Sequence, residues 1–127
     1  MGRGVVHWEL WSKDPDKVSD FYARVFDWKI SNIPELNYHL VDTDSEGGIG
    51  GGIMKPQQGD WPSDMTFYID VDDLAAYREK IVDAGGQIVV EEMEVPNVGS
   101  FSLFSDPDGR VLGMWKQGEQ TERDAGT

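Results

Sequence analysis

Two side chains able to move or hold a proton stand two positions apart in the first apolar stretch, Val5–Ser12, VVHWELWS. Read as a strand, this stretch puts Val5, His7, Glu9 and Trp11 on one face and Val6, Trp8 and Leu10 on the other. An imidazole titrates near neutrality, and a carboxylate on the same face can orient or protonate it. The mixed face suits a pocket wall, and the apolar face is expected to pack on helices. The other histidine, His39, reads as a hydrogen-bonded structural residue. Asp42-x-Asp44-x-Glu46-Gly47 imitates the start of an EF-hand loop, but its twelfth position is Ile53 and its flanks read as strands, so a solvated turn is expected. The run Gly47-Gly48-Ile49-Gly50-Gly51-Gly52 matches neither a dinucleotide fingerprint nor a P-loop, and reads as a close backbone approach or a bulge. No G-x-S-x-G elbow and no histidine pair at metal spacing is present.

With 127 residues the chain has room for one domain or two small modules sharing a core. There is no cysteine, which excludes disulfides, thiol catalysis and cysteine-based metal sites and fits a reducing compartment. Lys and Arg number 11 against 24 Asp and Glu, a formal net charge of −13. Such a surface repels phosphate backbones and anionic membranes, so neither nucleic acid nor membrane is an expected partner. No apolar run reaches the length of a membrane span or of a signal-peptide core, and the expected location is cytoplasmic.

The elements that must position these residues follow in order. Asp14-Pro15 opens a helix with Asp as N-cap and proline in the first turn. Val18, Phe21, Tyr22, Val25 and Phe26 form its apolar stripe. A strand begins at Trp28, another runs over Asn37–Val41, and a third ends at Met54 after a polar turn. The first half therefore reads β-α-β-β-β. KPQQGDWPSD, with two prolines, reads as a linker in which Trp61 is anchored. The second half repeats the order. Thr66–Val71 is a strand with Phe67, Ile69 and Val71 on its apolar face and Thr66, Tyr68 and Asp70 opposite. Asp72 or Asp73 caps a helix with stripe Leu74, Tyr77, Ile81 and Ala84, ended by Gly85-Gly86. Gln87–Val90 is a strand, and Ser100–Phe104 and Arg110–Trp115 form a hairpin around Asp106-Pro107-Asp108-Gly109. Ile49-Gly50 stands where Leu112-Gly113 stands. Residues 118–127 read as a disordered tail. The expected fold is α+β: paired βαβββ modules, 4–55 and 65–117, joined by a linker at 56–64 into one domain, 1–117. They form a concave mixed sheet around a groove, with helices on the outer face.

At these residues the sequence resembles a family. VVHWELWSKDPDKVSDFYARVFDWKI resembles the opening module of the vicinal oxygen chelate superfamily, which includes glyoxalase I, bleomycin-resistance proteins and extradiol dioxygenases. FY-x-x-V-F-x-W is its most specific part. IDVDDLAAYREKIVDAGGQIV and SDPDGRVLGMW resemble the second module, and the match covers nearly all of residues 4–116. The resemblance implies the paired βαβββ fold. In metal-dependent members it also implies four ligand positions, which fall here on His7, Thr66, Gly50 and Gly113. Only His7 has a ligating side chain, and a catalytic divalent site commonly needs three protein ligands. The expectation is therefore no metal and no cofactor; a shifted site using His7, Glu9 and Asp70 is the alternative. The bleomycin-resistance branch also lacks metal and sequesters a drug in an aromatic-lined groove. By that likeness the expected ligand contacts are His7, Glu9, Trp11, Thr66, Tyr68, Asp70, Gly113 and Trp115, with Gly50 and Gly113 leaving floor space. The same aromatics would equally serve to pack the two modules together.

Three functions follow from different weightings of these residues. The first is a metal-free protein that binds a small, flat or amphipathic molecule. The second is an enzyme of lyase, isomerase or dioxygenase type, with metal at a displaced site or His7 and Glu9 as an acid–base pair. The third is an assembly module; homodimers are common in the family. The scaffold alone does not choose among them.

Overall fold

The computed structural model describes residues 2–56 and 64–118. Ten regular elements follow in order: β1 (Val5–Trp11), α1 (Pro15–Phe26), β2 (Lys29–Ile33), β3 (Tyr38–Asp42), β4 (Gly51–Met54), β5 (Met65–Asp70), α2 (Leu74–Asp83), β6 (Gln87–Val95), β7 (Gly99–Ser105) and β8 (Val111–Gln117). A single 3-10 turn, Pro34–Leu36, joins β2 to β3. The fold is α+β, and the order βαβββ occurs twice, as expected. Trp61, most of the linker and the tail after Gly118 lie outside the described residues. The chain divides into two compact units, Val6–Phe67 and Met1–Val5 with Tyr68–Thr127.

Both helices start where a side chain supplies the missing acceptor. Asp14 Oδ1 accepts from Lys17 N at 3.2 Å, and Asp73 Oδ1 accepts from Ala76 N at 3.1 Å. An aspartate at this position satisfies one of the orphan amides of the first turn. Pro15 follows in the first turn of α1. α1 ends on Asp27 in the left-handed region (φ 59°), and α2 runs into Gly85 at φ 103°. The second of these is the glycine stop that the sequence predicts.

In the first unit the strands lie in the order β2-β3-β4-β1, with β1 and β4 parallel and the other pairs antiparallel. In the second the order β5-β8-β7-β6 has the same plan, with β5 and β8 parallel. A parallel neighbour requires a long crossover, and the helix of each module begins it. Register then corrects one expectation. Glu9 stands opposite Gly52, and Tyr68 stands opposite Gly113. Each lies five residues before its capping aspartate. Gly52, not Gly50, is therefore the counterpart of Gly113. Gly48, Gly50 and Gly52 share one phase of the two-residue strand period, so the alternation alone could not choose between them.

The reason for glycine at both places is a ring. Tyr38 lies over Gly52, and Tyr68 lies over Gly113; a Cβ at either glycine would collide with the tyrosine ring. The floor space expected at Gly113 is thus filled by Tyr68. Its ring crosses β8 and meets Phe101 of β7 edge-on, with centroids 5.8 Å apart at 81°. Gly51 accommodates the Trp8 indole on the other face in the same way.

The helix of the second unit packs as its stripe predicts. Val71, Leu74 and Met114 form a buried cluster, joined by Ile69, Tyr77, Ile81 and Phe104. The helix of the first unit does not bury its whole stripe. Tyr22 stacks on Trp28 at 13° and 5.0 Å, and Trp28 meets Trp8 of β1 at 5.1 Å. Phe21, Val25 and Phe26 remain 56%, 55% and 57% exposed. Strand β6 runs to Val95 rather than stopping at Val90, through an interruption of its register with β7 between Val90 and Met93. There Arg78 Nη1 donates to the Glu91 carbonyl at 2.7 Å and to Ser102 Oγ at 3.1 Å, and Ser102 Oγ also donates to that carbonyl.

Adding one methyl under the buried Tyr68 ring tests this packing. Gly113→Ala should lower the unfolding free energy by about 1–3 kcal/mol, the usual cost of overfilling a packed site. Urea denaturation reads the change, and a wild-type midpoint would show that the ring and the glycine are not in tight contact.

Candidate functional site

Strand alternation brings His7, Glu9 and Trp11 to one face of β1, as the sequence predicts. The structure adds Tyr38 from β3. Trp11 Nε1 donates to Glu9 Oε1 at 2.7 Å, the Tyr38 hydroxyl donates to Glu9 Oε2 at 2.8 Å, and His7 Nε2 lies 2.7 Å from the same hydroxyl. The His7 and Tyr38 rings lie 19° from parallel with centroids 6.3 Å apart. Glu9 and Trp11 are each only 7% exposed, while His7 and Tyr38 are half-buried.

Each link has a local cause. Glu9 and Trp11 are two apart on a strand, so their side chains emerge on the same face and the indole N–H meets the carboxylate. Tyr38 lies two strands from Glu9, with β4 between them. Its ring reaches across because Gly52, directly opposite Glu9, has no side chain. A buried carboxylate is costly unless hydrogen-bonded, and here both oxygens of Glu9 accept a bond. Burial also pushes the His7 imidazole below its ordinary value, which favours the neutral ring.

The other expected contacts stand as follows. Thr66 and Tyr68 are buried on β5, with Tyr68 over Gly113. Asp70 lies opposite Trp115 and binds through its backbone: its N–H donates to Gly4 O at 2.8 Å, and its carbonyl accepts from Arg3 Nε at 3.1 Å. The Trp115 indole covers Gly99, and its Nε1 donates to Gln117 Oε1 at 2.9 Å. His39 meets Asp16 of α1 at 2.9 Å, a structural tie as expected. The Asp42-Asp44 segment is a turn in which Asp42 Oδ1 accepts from Asp44 N at 2.8 Å and Asp44 pairs with Lys29 at 3.0 Å. Among the described residues, no three His, Cys, Asp or Glu side chains gather as a metal would require. No helix among them is long and apolar enough to cross a membrane.

Tyr38 is the residue that sequence reasoning missed. The available signal was a tyrosine opening one strand and a glycine run forming the next, a pairing that lets an aromatic ring lie flat across a sheet.

Two outcomes test this network. Glu9→Leu leaves the Trp11 N–H and the Tyr38 hydroxyl without their shared acceptor, and should cost about 1–3 kcal/mol in urea unfolding. An unchanged midpoint would remove the network from the fold's stabilisation. The second concerns pH. In the folded chain His7 resists protonation, whereas the unfolded chain takes up a proton near a pH of about 6.5. Stability from this group is present above that pH and is lost as pH falls from it toward the lowered folded value. Between pH 7.5 and 5 the wild type should therefore lose more stability than His7→Gln; equal losses would show that His7 titrates normally when folded.

Comparison with known proteins places this geometry in a family. The profile of the Glyoxalase/Bleomycin resistance protein/Dioxygenase superfamily matches residues 4–113. The chain is 33% identical over 122 residues to CFP32 of Mycobacterium tuberculosis, an alignment covering 92% of this chain and 46% of that protein. It is 26% identical over 128 residues to the anthracycline biosynthesis protein DnrV of Streptomyces peucetius, covering 87% of this chain and 46% of DnrV. It thus spans about half the length of these curated relatives. The solved structure of methylmalonyl-CoA epimerase from Mycobacterium tuberculosis superposes with a TM-score of 0.70 at 14% identity, over 94% of this chain and 91% of that one. At that identity the likeness is one of fold. The repeated βαβββ plan and the match over residues 4–113 lead to one conclusion: the chain belongs to the Glyoxalase/Bleomycin resistance protein/Dioxygenase superfamily.

Proposed function

We propose that this chain binds a small, flat or amphipathic molecule against the wall formed by His7, Tyr38 and Trp11, and does so without a metal ion. One observation carries the reading: both oxygens of the buried Glu9 carboxylate are committed to Trp11 and Tyr38. The carboxylate thereby orients the aromatic surface of Trp11 and Tyr38. A divalent ion does not fit the donor set. The two last-strand positions are glycines roofed by tyrosine rings, and the first-strand positions supply one imidazole and one buried threonine. Zinc takes several imidazole, thiolate or carboxylate donors, and calcium and magnesium take several oxygen donors. The kinship with an anthracycline biosynthesis protein supports a flat polycyclic ligand, since anthracyclines carry a planar fused-ring chromophore.

A second reading has its own support. A half-buried imidazole favoured in its neutral form, in line with a tyrosine and a carboxylate, is the arrangement of a general base. Turnover that disappears in His7→Ala while ligand binding persists would favour this acid–base reading.

A cytoplasmic setting and a homodimer belong to the same proposal. The absence of cysteine supports the first. The exposed apolar face of α1, with Phe21, Val25 and Phe26, supports the second. Sedimentation that stays monomeric at every concentration would remove the dimer.

The binding reading is tested by calorimetric titration with a planar anthraquinone. Saturable binding is expected, weakened at least tenfold in Trp11→Ala with circular dichroism confirming that the variant is folded. No saturable binding by the wild type, or equal affinity in the folded variant, would overturn it.

A further inference from the structure

The second unit builds a ring platform of its own. Trp115 of β8 stands opposite Phe101 of β7 on one side and Asp70 of β5 on the other, and Phe101 stands opposite Met93 of β6. Residues paired across a sheet share a face, so Met93, Phe101, Trp115 and Asp70 form one rung, with about 4.8 Å between neighbouring strands. The Trp115 indole rests on Gly99, where a Cβ would come within 2.7 Å of its Cζ2. Its Nε1 donates to Gln117 Oε1 at 2.9 Å, and Gln117 Nε2 donates in turn to the Val98 carbonyl at 3.3 Å. The ring is thus backed by main chain and tied at its edge. Trp115, Phe101 and Asp70 are half-buried, and Met93 is 41% exposed.

Asp70 ends the rung with a carboxylate. Its N–H donates to Gly4 O and its carbonyl accepts from Arg3 Nε, so its backbone is committed. Among the described residues no hydrogen bond or ion pair holds its side chain. Lys116, the basic residue of β8, stands opposite Ser100 and alternates to the other face of the sheet. The rung therefore joins an anchored indole to a carboxylate, on a chain of net charge −13 that draws cations to its surface.

We propose that this rung is a binding site for a small organic cation, with an alkylated ammonium group seated between the face of Trp115 and the Asp70 carboxylate. The face of an indole attracts a cation more strongly than that of any other side chain, and the attraction grows as water is excluded. A fully alkylated ammonium has no N–H, so it leaves no donor unbonded against the ring. Met93 and Phe101 extend the apolar surface for the ligand's hydrocarbon body. The site is built from the second unit alone, and the ligand wall at His7 belongs to the first, so either proposal can fail without the other.

The experiment titrates the full chain with choline and with its uncharged carbon isostere, 3,3-dimethylbutan-1-ol. Nitrogen-15 spectra follow the Trp115 indole N–H, which is assigned by its loss in Trp115→Phe. Choline should shift this resonance saturably, and the alcohol should bind at least tenfold more weakly, the loss expected when one cation–π contact and its counter-charge are removed. Asp70→Asn keeps the backbone bonds of Asp70 and should cut the preference for choline to less than threefold. No saturable shift with choline, or affinities for the two probes within threefold of each other in the wild type, would overturn the proposal. Choline binding that leaves the Trp115 resonance unmoved, or a preference that survives in Asp70→Asn, would equally overturn it.

Discussion

The Tyr38 ring reaches from β3 to β1 only because β4, which runs between them, carries glycine at position 52. Strand neighbours stand about 4.8 Å apart, so a side chain that touches the second strand over must lie flat across the first. Any side chain at that point would lift the ring and pull the hydroxyl away from Glu9. Gly52 stands opposite Glu9 in the ladder, so the gap and the carboxylate come at one level of the sheet. From that coincidence the remaining links follow. Tyr38 holds Glu9, Glu9 holds Trp11, and His7 closes on the hydroxyl. The most costly buried group of the first unit is thereby turned into the organiser of an aromatic surface.

The second unit uses the same device with the direction reversed. In the first, the ring starts on β3 and crosses toward β1, the strand parallel to β4. In the second, Tyr68 starts on β5, the strand parallel to β8, and crosses toward Phe101 on β7. The two modules thus keep the strand order and the glycine while the tyrosine enters from opposite sides. The crossing in the first unit ends on the Glu9 carboxylate. The shared part is the packing of a ring on a glycine.

What the sequence reveals here divides by range along the chain. Element order was legible because its signals are local: Asp14 with Pro15, Asp73, and the left-handed stop at Gly85 each act within a turn. The common face of His7, Glu9 and Trp11 was legible because the strand period needs no partner. Tyr38 was not, because its role depends on a glycine in another strand and on a register that no single strand encodes. The choice between Gly50 and Gly52 failed for the same reason. The stripe on α1 was read correctly as a stripe, but periodicity gives the apolar face and is silent about its cover, and Phe21, Val25 and Phe26 face outward. The extension of β6 through Glu91 and Glu92 was hidden because it depends on Arg78 and Ser102, distant in sequence, which bond the Glu91 carbonyl.

The ring seated on a glycine also limits the evolutionary routes open to this chain. A carboxylate can enter position 52 or 113 only if the tyrosine above it leaves. Either change made first is harmful: the acid collides with the ring, or the vacated ring leaves a hole. The two positions are therefore epistatic, and each half of the exchange has meaning only in the presence of the other. For a lineage at this sequence, an acid at either position lies across a valley of poorly packed intermediates. On this scaffold the glycines record a commitment, and their partners hold it in place.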